Sequence, residues 1–164
     1  MLQTLVRESV HPAHSCFELM RNYQHPTLLN KIQVELKITR AEAEILFGDV
    51  KKFLALCVTI PQSQSLSPTK AIDQGWHTFL LFTKDYAQFC KDYCGCYVHH
   101  QPEDPFAEVK DYDSVPRTRE FAKIVFGDLS LNWRGPSGSL NASDCSPAGC
   151  QPKDCSPNEC QRAF

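Results

Sequence analysis

Asp73 and His77 stand four positions apart in the stretch SPTKAIDQGWHTFLLFTKDYAQFCKDYCGCYVHH, which runs from Ser67 to His100 and closes on a double histidine. On a helix, residues i and i+4 share a face with Cβ atoms about 5–6 Å apart. A carboxylate and an imidazole so spaced are set to hold one cation. Such donors suit zinc or iron, and Asp73, His77, His99 and His100 would supply three or four of them. Two histidines and a carboxylate with open positions would be the donor set of a non-haem iron oxygenase, whereas four filled positions would mean structural zinc. The alternative needs no metal: Asp73 caps or salt-bridges a neighbouring helix, His77 is a hydrogen-bonded core histidine beside Trp76, and His99-His100 is surface loop.

Thiols offer two further sites. Cys90, Cys94, Cys96 and His99 fall within ten positions and could form a zinc knuckle, although Cys90 also fits the apolar face of a helix. Near the C-terminus, CSPAG, CQPKD, CSPNE and CQRAF form a pentad repeat with Cys145, Cys150, Cys155 and Cys160 at C-x4-C spacing. Four thiolates could close a tetrahedral zinc or soft copper site, at the long end of the usual zinc spacing. Proline and the scarcity of apolar residues keep this repeat from building a core, so the expectation is a disordered thiol-rich tail that handles metal or is modified by another enzyme.

With 42% hydrophobic and 22% charged residues in 164, the chain reads as a soluble globular protein. A formal charge of -2 gives no electrostatic signal for nucleic acid or anionic membrane. The N-terminal run lacks the apolar core of a signal peptide, and no apolar stretch of the roughly 18 residues needed to span a bilayer occurs. The expected compartment is therefore the cytoplasm. There, nine cysteines point to metal or redox chemistry before structural disulfides. No Gly-x-Ser-x-Gly elbow, phosphate-binding loop or dinucleotide fingerprint is present, so no reaction class is named.

The elements that must position these residues all read as helices. Met1–Val10 can form a short amphipathic helix, and a second is expected over about Ala13–Asn22. Three histidines near these joints, His11, His14 and His25, read as surface or capping residues. Pro26 opens a helix with Leu28, Leu29, Ile32 and Leu36 at helical spacing. Thr39-Arg40-Ala41-Glu42 reads as a capping box ahead of a long stripe of Ala43, Leu46, Phe47, Val50, Phe53, Leu54 and Cys57, with Lys51 and Lys52 opposite. Ser67-Pro68 is expected to start the next helix as cap and first residue. Periodicity then allows one helix to Cys94, or a break at Thr83. On one continuous helix His77 and Cys94 would be about 25 Å apart and the double histidine could not easily reach Asp73; after a break, a second helix would run back about 16 Å and Gly95 would release the chain toward His77. A last helix opens at Pro116 or Thr118 and ends at Gly127, with Trp133 docking on the core. The sum is an all-α domain over residues 1–134, a small helical bundle, followed by a flexible linker and repeat tail over 135–164.

Asp73-x-x-Trp76-His77, Thr83-x-x-Tyr86-x-x-Phe89-Cys90 and His99-His100 together resemble the helical module of plant and bacterial glycine-rich domain-containing proteins. The resemblance covers roughly Tyr23 to Trp133. Cys94 and Cys96 depart from it, as does a tail rich in cysteine and proline where relatives tend toward glycine. It implies an all-helical fold and supplies no enzyme activity. A non-catalytic interaction module, with an unknown protein partner or an enzyme that modifies the tail, is the second functional expectation.

Overall fold

Helix α3, Arg40–Thr59, is the axis of the molecule, and four of the other helices pack against it. The structure, a computed structural model, describes residues 11–102, 106 and 111–135. Among these are six α-helices and no strand: α1 Pro12–Met20, α2 Pro26–Leu36, α3, α4 Lys70–Leu80, α5 Thr83–Phe89 and α6 Ser114–Phe126. A five-residue π turn, Cys90–Cys94, continues α5, and Leu131–Trp133 forms a closing 3-10 turn. The all-α expectation holds for this region. The Met1–Val10 helix and the repeat with Cys145, Cys150, Cys155 and Cys160 lie outside the described residues.

The capping box forms as its sequence requires: the Thr39 hydroxyl accepts from the Glu42 N–H, and the Glu42 carboxylate accepts from the Thr39 N–H at 2.7 Å. All seven residues of the expected apolar stripe are buried, and so are Ala55 and Leu56. The helix is thus enclosed on more sides than a simple amphipathic pattern implies. Gly75 of α4 makes one close approach possible, because a Cβ there would meet Val50 Cγ2 at 3.0 Å and Leu46 Cγ at 3.1 Å.

Lys51 is a correction. Rather than facing out, it is buried, and its amine donates to the carbonyls of Arg21 (2.8 Å) and Tyr23 (3.1 Å), the turn between α1 and α2. Loss of hydration pushes its pKa down from 10.5 to about 8. Between these values the unfolded chain holds a proton that the folded chain has released, so the Lys51 contribution to stability rises with pH. Burial pushes the Cys16 thiol up from 9.0 to about 11, and that contribution falls as pH rises above 9. Urea denaturation at pH 8 and pH 9 should therefore show a gain in stability for the natural chain that is smaller in Lys51→Met.

Two buried polar clusters fasten the C-terminal elements. Thr118 Oγ1 accepts from the Ser67 N–H at 2.9 Å and donates to the Ser114 carbonyl at 2.7 Å, tying α6 to the connector before α4. Asp49, 2% exposed, accepts from Ser130 Oγ (2.5 Å), Asn132 Nδ2 (2.9 Å) and Trp133 Nε1 (2.8 Å). Trp133 docks on the core as expected, held by a carboxylate as well as by apolar contact.

Candidate metal centre

Helix α4 places Asp73 in its first turn and His77 one turn on. Its start differs from expectation: Thr69 is the N-cap, accepting from the Ile72 N–H, and the helix begins at Lys70 rather than at Pro68. Ser67 instead gives its N–H to Thr118, which holds it outside the helix. The helix ends at Leu80, so the break reading is the one adopted. Thr83 is the first residue of α5 and not its cap; Phe82 holds that place without a side-chain bond.

The chain then returns. α5 and the π turn lead to Gly95, whose φ of 71° lies in the left-handed region that glycine enters without penalty. A buried relay fixes the segment beyond Gly95: Trp76 Nε1 donates to the Tyr86 hydroxyl at 3.1 Å, and that hydroxyl donates to the Val98 carbonyl at 2.6 Å. Val98 and the His100 side chain are buried, whereas His99 between them stays partly exposed. His100 reaches Asp73, with Nε2 2.8 Å from Oδ1, while His77 Nδ1 lies 3.2 Å from Oδ2. The two imidazoles stand 4.1 Å apart between centroids, and Trp76 packs edge-on against His100 at 4.6 Å.

Asp73, His77 and His100 each offer one ligand atom, and the three atoms lie within 4.8 Å of one another. No other group of three or more histidine, cysteine or acidic residues among the described residues meets this condition. Ligand atoms bound to zinc or iron at about 2.0–2.1 Å lie about 2.8–3.4 Å apart in octahedral or tetrahedral arrangements. The N···O distances of 2.8 and 3.2 Å are close to that spacing. Small side-chain rotations would replace each N···O contact by two bonds to a shared ion.

Burial divides the roles. The His100 side chain is 6% exposed and Asp73 10%, so both are fixed by the core, whereas His77 is 49% exposed and opens the group to solvent. His99 does not join them. Its ring lies tilted against that of Tyr97, 4.6 Å away between centroids, and lines a cavity of about 630 Å³. The four-ligand set expected from the sequence thus becomes a three-residue group, because adjacent residues of this segment face opposite ways. The surface-loop alternative for the double histidine fails for His100.

The remaining histidines cap or pack. His11 accepts from the Ala13 N–H and His25 from the Leu28 N–H, with His25 Nε2 also 3.0 Å from Asp85. Cys57 is a buried core residue, as its place on the stripe implies. Cys90, Cys94 and Cys96 do not converge with His99 on one point as a knuckle would need. Sequence reasoning missed the relay from Trp76 through Tyr86 to Val98, and no spacing rule could have found it, because its last acceptor is a backbone carbonyl.

The fold and this group define an all-helical protein with an Asp-His-His cluster at the junction of a helix and a returning segment. Residues 16–122, which contain the whole group, match the UCP032817-like family, and the chain belongs to that uncharacterised family. No curated protein and no solved structure matches it.

Proposed function

We propose that this protein binds one divalent transition-metal ion, zinc or iron(II), through Asp73, His77 and His100, with its remaining coordination positions open to solvent beside His77. The convergence of three ligand atoms within 4.8 Å of one another, one in the core and one at the surface, carries this reading. Three protein ligands with an open position are the pattern of catalytic rather than closed structural metal sites. The buried partners fit such a role, since Trp76 holds the His100 ring and the relay to Val98 fixes the backbone beside it. The similarity to glycine-rich domain-containing proteins belongs to the same proposal, because two of the motifs that carry it, Trp76-His77 and His99-His100, contribute to this group. We place the protein in the cytoplasm; among the described residues no helix is long and apolar enough to cross a membrane.

Elemental analysis of the full chain, purified without chelator and then titrated with zinc or anaerobic iron(II), tests the proposal. One ion per chain is expected, lost in His77→Ala, whose exposed side chain can be removed without disturbing the core. Metal retained by His77→Ala but lost when Cys145, Cys150, Cys155 and Cys160 are changed to serine would assign metal binding to the tail and overturn it.

A further inference from the structure

The π turn after α5 brings together groups the metal centre does not use. Cys90 opens the turn and Cys94 closes it. Such turns are rare and cluster at functional sites. Residues i and i+4 share one face of a helical turn, and the Cys94 side chain lies close enough to the Cys90 sulfur to lower its pKa. The Val98 N–H donates to the same sulfur. Tyr86 also adjoins it, but its single proton goes to the Val98 carbonyl, which leaves Cys94 and Val98 as the donors. Cys90 is 1% exposed, yet it forms part of the wall of the 630 Å³ cavity shared with Lys91, Cys96 and His99. This wall is the side from which a small molecule would approach the sulfur. The five described cysteines, Cys16, Cys57, Cys90, Cys94 and Cys96, are all outside disulfides.

We propose that Cys90 and Cys94 are a redox dithiol pair, in which a hydroperoxide entering the cavity oxidises Cys90 and Cys94 then closes a disulfide. The Cys90 thiolate attacks one peroxide oxygen; the O–O bond breaks and the departing oxygen leaves as water or alcohol after taking a proton. Cys90 is then a sulfenic acid. The Cys94 sulfur attacks it, an S–S bond forms, and hydroxide leaves as water with the Cys94 proton. In total two thiols and one hydroperoxide give one disulfide, one water and one water or alcohol. Hydrogen bonds to the Cys90 sulfur hold its pKa below the ordinary thiol value against the opposing effect of burial, while Cys94, donor to that sulfur, is held far above it.

Lys91 lies between the two cysteines, so tryptic cleavage after it turns the disulfide into a cross-link between two peptides. The full chain is treated with increasing hydrogen peroxide, remaining thiols are alkylated, and the peptides are sequenced by mass spectrometry. The cross-link should assign to Cys90 and Cys94 and form at least about tenfold faster than oxidation of the more exposed Cys16, since reactivity follows thiolate character. In Cys94→Ser, dimedone should trap a sulfenic acid on Cys90; Cys90→Ser should yield neither product. Oxidation of Cys16 or Cys96 ahead of Cys90, a cross-link through Cys96, or no dimedone adduct in Cys94→Ser would overturn the proposal.

Discussion

Changing His100 to alanine is expected to abolish stoichiometric metal retention, while His99→Ala leaves it unchanged. The two positions have equal standing in the sequence, but only His100 faces Asp73. Loss of partners outside the ligand set typically costs 10–100-fold in metal affinity, so loss of a ligand should cost about 100-fold or more. His100→Ala also strips the nearly buried Asp73 carboxylate of a hydrogen bond at 2.8 Å, a loss of about 1–3 kcal/mol in stability. Isothermal titration with zinc, accompanied by urea denaturation, separates the two effects. His77→Ala should lose the affinity with little change in stability, because that ring is half exposed. Equal affinity in His99→Ala and His100→Ala would remove Asp73 and its neighbours as the site.

Asp49→Ala should be the most destabilising single change of a polar residue among the described residues. The carboxylate accepts from three side chains and lies 3.7 Å from the Lys52 amine. Its removal leaves the indole N–H of buried Trp133 without its acceptor. Breaking a buried charged network by deleting one member costs about 3–5 kcal/mol, a large share of the roughly 5–15 kcal/mol by which domains are stable. Asp49→Asn keeps one acceptor oxygen but turns an NH2 group toward a donor, so it should lose less. Chemical denaturation followed by tryptophan fluorescence measures both, with Glu44→Ala on the exposed face of the same helix as a reference that should move by no more than about 0.5 kcal/mol.

What could be read from residue order was local. Periodicity and capping chemistry place α2 and α3, because each depends on neighbours within a turn or two, whereas the break between α4 and α5 stayed one of two readings that periodicity allowed. Asp73 and His77 were legible for the same reason. The choice between His99 and His100 was not, since it is made by the Tyr86 hydroxyl, which pins the Val98 carbonyl just before them. Lys51 misled because a lysine on a helix normally marks the solvent face; here two carbonyls at a helix joint need donors, and a long amine reaches both. The start of α4 shifted from Ser67 to Thr69 because Ser67 is recruited by Thr118, fifty-one positions away.

The attachment of Asp49 to the closing turn also bears on the order of events as the chain is made. Helical bundles owe rapid folding to contacts close in sequence. The donors to Asp49 lie 81 to 84 residues downstream. At about 5–20 residues per second, synthesis must run for roughly 4–17 s after Asp49 is added before Trp133 exists. During that interval α3 can pair with α1 and α2, but its carboxylate must stay hydrated. Until Trp133 arrives, water must stand in for the three donors that close on Asp49 in the finished fold.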